Sequence, residues 1–235
     1  VTILPPSAAG DSKLVAGTVL ACAADGRVSL RLADGASVRV DGGSRLRLAS
    51  SRSLELQQGA LYVDSGASPG EPLEIVTPLG RVTDVGTQFE VRLAGAGGTR
   101  RPQLRLRVRE GQVRIDTGAA AHRAEAGSEL LVGADGRVSR TAVAADDPGW
   151  HWAARAAPVL DIEGRSLASF LDWATRELGL RWRVVEPRPE RSAGEIVLHG
   201  SVAGLTPEEA IEVVLTGSGL RARRAGGELL VSAAP

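Results

Sequence analysis

The chain has 235 residues, enough for one large domain or two small ones. Hydrophobic residues make up 43% of it, and 28 basic residues balance 28 acidic ones. A net charge of zero removes any global pull toward nucleic acid or an anionic membrane. Lys13 is the only lysine, and the arginines are scattered along the chain, which is no phosphate track. Cys22 is alone, so no intrachain disulfide and no cysteine zinc site forms. His122, His151 and His199 lie far apart, with no metal-ligand spacing, so neither a metal nor another cofactor is expected.

The chain begins at Val1 rather than Met, which reads as a processed or a trimmed form. Residues 1–13, with Pro5-Pro6 and small residues, read as a linker following a missing membrane segment. No apolar run is long enough to span a bilayer. From Leu14 a β pattern begins. Turn signals recur at Asp25-Gly26, Asp34-Gly35, Asp41-Gly42-Gly43 and Gln58-Gly59. Between them run short alternations: Val28/Leu30/Leu32, Val38/Val40, Leu46/Leu48, Leu54/Leu56 and Leu61/Val63. Such spacing predicts a mainly β part, as a sandwich, roll or solenoid of short strands.

The stretch Thr77–Val91 organises the rest. Val82–Val85 is β-branched, Gly86 breaks the run, and Phe89, Val91 and Leu93 alternate with Glu90 and Arg92. That predicts strand, tight bend and strand, with Glu90 and Arg92 on a wet face. Leu104–Val108 and Gln112–Ile115 follow as answering strands, and Ala94–Pro102 is a hairpin tip. The β part is expected to span 14–141.

A connector, 142–157, holds Asp146-Asp147 in a Pro-Gly context. Trp150 and Trp152 follow, expected to pin the connector rather than form a ligand platform. Residues 158–235 change period. Val159–Ile162 reads as a strand. Leu167, Phe170, Leu171, Ala174 and Leu178 mark an amphipathic helix capped by Gly179. Leu180–Val185 and Glu195–His199 read as strands. Thr206-Pro207-Glu208-Glu209 is a complete helix-start signature. Leu220–Arg223 and Leu229–Val231 form a terminal hairpin. The order predicts a small α+β domain, βαβ then βαββ.

No nucleophile elbow, phosphate loop or metal spacing occurs, and aromatics are only 3%, too sparse for a sugar or base-stacking platform. The residues alone indicate a binding or relay protein in two parts, not an enzyme.

Several runs resemble the FecR family of transmembrane sigma-factor regulators. They are Val28–Val40, Gly43-Ser-Arg-Leu46, Gly59-Ala-Leu-Tyr-Val-Asp64, Thr77-Pro-Leu-Gly80, Val85-Gly-Thr-Gln-Phe-Glu-Val91 and Val108-Arg-Glu-Gly-Gln-Val113. The tail resembles the short N-terminal (STN) domain of secretins and of signalling TonB-dependent transporters. It does so through Asp161–Leu167, Leu178-Gly-Leu180, Gly204–Ile211 and Gly217-Ser-Gly-Leu220. The resemblance implies a periplasmic sensor region of an anti-sigma factor, anchored in the inner membrane by a segment outside this chain. It implies three partners: the signalling domain of an outer-membrane transporter, often for a siderophore, a sigma factor reached through a cytoplasmic segment, and periplasmic proteases. Nucleic acid is not among them. A different class of reading is an envelope assembly piece docking to a secretin or cell-wall polymer.

Two sets of site residues follow. The expected partner surface is the hairpin with Arg221, Arg223 and Arg224, together with the strand carrying Glu195, Val197 and His199. Some members of the FecR family cleave themselves at a Gly-Thr step, and the matching bond is Gly86–Thr87. There the Thr hydroxyl would shift the acyl group from nitrogen to oxygen, with Asp84 as the base nearest in sequence. The competing reading makes Gly86 a bulge and Thr87 the start of a strand, with no reaction.

Overall fold

A computed structural model describes residues 2–4, 12–66, 71–84, 86–95, 101–189 and 191–234. The chain divides into two units, Val1–Ala144 and Ala145–Pro235.

The first unit is built from strands β1 (Thr2–Leu4), β2 (Ser12–Lys13), β3 (Val19–Ala21), β4 (Val28–Arg31), β5 (Ser37–Val40), β6 (Arg45–Ser50) and β7 (Ser53–Asp64). There follow β8 (Glu74–Thr77), β9 (Gly80–Asp84), β10 (Gln88–Ala94), β11 (Gln103–Glu110), β12 (Gln112–Asp116), β13 (Ala121–Glu125), β14 (Ser128–Gly133) and β15 (Val138–Ala142). β1 and β2 pair with each other, and β1 with β4, where the sequence reads as linker.

β7 is the spine. Its first half pairs with β6 and β8, and its second half with β5 and β10. From it the sheet runs one way through β8, β9, β12 and β13, and the other way through β10, β11, β14 and β15. The sheet curls, so inner faces from both arms fill one core, with Leu54, Leu61, Phe89, Leu106 and Ile115 inside it. Gln58-Gly59 is therefore a bend inside a strand rather than the turn its sequence suggests. Gly59 has φ +89°, and a Cβ on it would lie 2.2 Å from Ser44 Oγ. Ser44 Oγ donates to Ala60 O and accepts from Ala60 N–H at that bend.

One expectation fails on the outer face. Arg39, Tyr62, Glu90, Arg107 and Glu129 are successive register partners across β5, β7, β10, β11 and β14. Glu90 is 0% exposed rather than wet, and Arg39, Tyr62 and Arg107 are buried. Cross-strand pairing makes this tolerable, because a buried carboxylate needs opposite charge and hydrogen bonds. Glu90 accepts from Arg105 at 2.8 Å and from Arg92 at 3.3 Å. Arg107 donates to Glu129 at 2.8 Å, and the Arg39 guanidinium lies 4.9 Å from the Tyr62 ring.

The second unit holds a short 3-10 turn (Pro148–Trp150), then α1 (His151–Arg155), α2 (Leu167–Leu178), β16 (Arg181–Val184), α3 (Pro207–Gly217), β17 (Leu220–Ala225) and β18 (Glu228–Ala233). Asp147 caps the turn by accepting from Gly149 N–H, and Trp150 and Trp152 are buried, so neither is a platform. α2 ends at Gly179 in the left-handed conformation. α3 begins with a full capping box between Thr206 and Glu209. The sheet order is β16-β18-β17, with β16 parallel to β18 and β17 antiparallel to it. The apolar faces of both helices join Leu220, Leu229 and Val231 in a separate core.

The α+β class holds, but not the full βαβ-βαββ order. Val159–Ile162 is not a strand, and Glu195–His199 is reduced to one bridge, Ser166↔Val197. The backbone of 196–198 bonds to the turn ahead of α2 instead: Leu167 N–H to Ile196 O, and Leu198 N–H to Arg165 O. Apolar alternation specifies a half-buried extended segment, not which backbone it pairs with.

Candidate functional site

The Gly86–Thr87 bend lies between β9 and β10, which enter different arms of the sheet. Val85 lies outside the described residues. Gly86 has φ +68°, a left-handed conformation that suits glycine. Thr87 is 1% exposed, and its Oγ1 is buried with no hydrogen bond among the described residues. A buried hydroxyl without a partner is uncommon, because burial removes its water and gives nothing back.

The Thr87 backbone is gripped from one side by Ser65. Thr87 N–H donates to Ser65 Oγ at 2.7 Å. The Ser65 hydroxyl and the Ser65 N–H both donate to Thr87 O at 3.1 Å. On another side the β11–β12 turn presses in. A Cβ on Gly111 would fall 2.7 Å from Gly86 O and 2.6 Å from Thr87 Cγ2. Asp84 does not serve Thr87. It is buried, and its carboxylate accepts from Leu73 N–H at 2.6 Å. The carboxylate is held by the residue just ahead of β8, so the base nearest in sequence is engaged elsewhere. Ser65 escaped sequence reasoning because it lies 22 residues away and belongs to no motif.

The second unit carries a groove of about 590 Å³ between α3 and β17. Glu208, Ile211, Glu212 and Leu215 supply the helix wall, following the 3.6-residue repeat. Leu220, Ala222 and Leu229 form its apolar floor, and Arg221, Arg223 and Arg224 the strand wall. Among the described strands β17 pairs only with β18, which leaves its other edge open beside the groove. All three arginines are exposed. Arg224 reaches Glu208 at 3.5 Å and Arg221 reaches Ser232 Oγ at 3.4 Å. The groove thus has acid on one wall, base on the other and apolar side chains beneath.

Glu195, Val197 and His199 do not line the groove. Glu195 accepts from Ser192 N–H and Oγ at 2.9 and 2.8 Å, which holds its carboxyl below the ordinary range. Val197 is 51% exposed. His199 Nδ1 lies 2.8 Å from Glu163, whose other oxygen accepts from Gly200 N–H. That backbone bond, then His199, lowers the Glu163 carboxyl. The expected partner surface therefore separates into two places.

Cys22 is a free thiol that burial, then Asp41, pushes up, which makes it a poor nucleophile. Among the described residues no group of His, Cys, Asp or Glu could hold a metal, and no helix is long and apolar enough to cross a membrane.

Residues 18–114 match the family model of the FecR protein. The matched span runs from β3 to β12 and encloses the Gly86–Thr87 bend. Two crystal structures of a "putative anti-sigma factor" from Parabacteroides distasonis ATCC 8503, at 1.65 and 2.50 Å resolution, are also similar. Each shares 15% identity at a TM-score of 0.48 over 93% of this chain, and over 100% and 99% of its own. No curated protein sequence matches the chain.

Proposed function

We propose that this chain is the periplasmic relay region of a FecR-type sigma-factor regulator. In this reading the second unit receives the signalling domain of an outer-membrane TonB-dependent transporter, and proteolysis then releases the sigma factor. The observation that carries it is the FecR match at 18–114 joined to a separately cored unit with an open strand edge. An open edge beside an apolar floor favours an extended segment that adds as a strand, its backbone giving affinity and the groove walls selectivity. The likeness of the second unit to STN domains belongs to the same reading. The test is calorimetric titration of the chain with the signalling domain of the transporter encoded beside it. Reversing Arg221, Arg223 and Arg224 to Glu should weaken binding at least about tenfold, the loss of roughly 1.4 kcal/mol. Unchanged affinity would remove this groove from the interface. Binding to a secretin or a cell-wall polymer instead would favour the envelope-assembly reading.

A second reading concerns Gly86–Thr87, and the unpartnered Thr87 hydroxyl favours it. A hydroxyl with no competing hydrogen bond is free to attack the preceding carbonyl carbon, producing an ester that water opens more easily than an amide. Intact mass measured under denaturing conditions should give two pieces that part after Gly86, and one full-length mass for Thr87→Ala. One full-length mass for the wild type after long incubation would leave the bend purely structural.

A further inference from the structure

We propose that Ser65 is the proton-transfer group for cleavage at Gly86–Thr87, an inference that rests on the self-cleavage reading above. An amide nitrogen leaves only when it is protonated as the C–N bond breaks. Asp84 is committed to Leu73 N–H. Asp64 accepts from Gly66 N–H and Gln88 Nε2. Ser65 Oγ, by contrast, sits 2.7 Å from Thr87 N, the atom that must depart. Its own hydrogen points at Thr87 O, 3.1 Å away; once the attack makes the nitrogen pyramidal and frees its lone pair, rotation about the Cβ–Oγ bond brings that hydrogen to it.

The step balances as an isomerisation. Thr87 Oγ1 attacks the Gly86 carbonyl carbon and a C–O bond forms. The C–N bond then breaks while Ser65 gives its hydroxyl proton to the nitrogen. The proton leaving Thr87 Oγ1, which holds no hydrogen bond to Ser65 in the resting bend, is taken up by solvent, and solvent returns one to Ser65 to restore its hydroxyl. The product is an ester between Gly86 and the Thr87 side chain, with a free amine at Thr87. One water then opens the ester, leaving a Gly86 carboxylate and a new N-terminal Thr87 with its hydroxyl restored. The Ser65 N–H bond to Thr87 O holds the backbone throughout and does not depend on the Ser65 side chain. Gly111 seals the other side of the bond, where a side chain would strike Gly86 O.

Positioned proton transfer contributes about 10²–10⁴ in rate. Losing it should slow cleavage at least about a hundredfold. The full chain is made by cell-free synthesis, sampled into denaturant over time and weighed intact, with and without hydroxylamine, which cuts esters. The variants are Ser65→Ala, Ser65→Thr and Thr87→Ala. Ser65→Ala should be slow and insensitive to hydroxylamine, with a melting temperature lower by about 4–8 °C for its two lost bonds, while Ser65→Thr keeps the wild-type rate and melting temperature. Equal rates for Ser65→Ala and wild type would overturn the role of Ser65 and leave self-cleavage standing. Slow cleavage in both Ser65 variants, with a matching fall in melting temperature, would make Ser65 structural and also overturn it. No cleavage of the wild type, even with hydroxylamine, would end both readings.

Discussion

Gly59 and Gly35 share nearly the same φ, +89° and +92°, yet meet different surroundings. Replacing either by Ala places a side chain at positive φ, at a cost of about 1–2 kcal/mol. At Gly35 nothing lies within 4 Å of the added carbon, so that cost stands alone. At Gly59 the carbon would sit 2.2 Å from Ser44 Oγ and 2.5 Å from Ser44 Cα. Backbone cannot swing aside, so overpacking adds about 1–3 kcal/mol. Displacing Ser44 also costs its bonds to Ala60, about 1 kcal/mol each. At about 2–4 °C per kcal/mol, Gly35→Ala should lower the melting temperature by about 2–8 °C. Gly59→Ala should fall at least about 6 °C further. Differential scanning calorimetry of the full chain reads both. Equal melting temperatures for the two variants would refute the argument that β7 bends against Ser44.

The fragment 145–235 should fold alone, because its core is complete without upstream residues; a fragment without cooperative melting would contradict this. Thr206→Ala should cost about 1 kcal/mol by removing the N-cap of α3. The effect should shrink in acid. The Thr206 N–H, then its hydroxyl, lowers the Glu209 carboxyl, so this contribution is present above the ordinary carboxylate range and fades as pH falls through the lowered value. Urea unfolding at pH 7 and pH 3 checks it, and a gap of the same size at both would count against the coupling.

Local chemistry was legible in the chain wherever it was self-sufficient. Asp34-Gly35 does join the paired strands β4 and β5, because φ and side-chain bonding set such a turn without distant help, whereas Asp41-Gly42-Gly43 joins β5 and β6, which pair with β7 and not with each other. The caps of α2 and α3 were readable for the same reason. Gln58-Gly59 looked alike but lies within β7, since only Ser44, distant in sequence, distinguishes a bend from a turn. Glu90 carried no sign of burial, because its partner Arg105 comes from the next strand. At the bend the Gly86-Thr87 pair was visible as a motif. Ser65 was not, since its contact with Thr87 arises from tertiary placement alone.

β10 lies between β7 and β11, and β9 between β8 and β12, so strands from either side of Gly86–Thr87 are interleaved. A cut there would release neither piece. β7 would still hold β10 along Asp64 to Gly59, and β12 would still hold β9 along Asp84 to Arg81. The nicked protein would be a clasp without a rivet, indistinguishable in native size from the uncut chain. What the cut removes is covalent continuity: a steady pull on one piece would then have to shear strands past one another, where before it met an unbroken backbone.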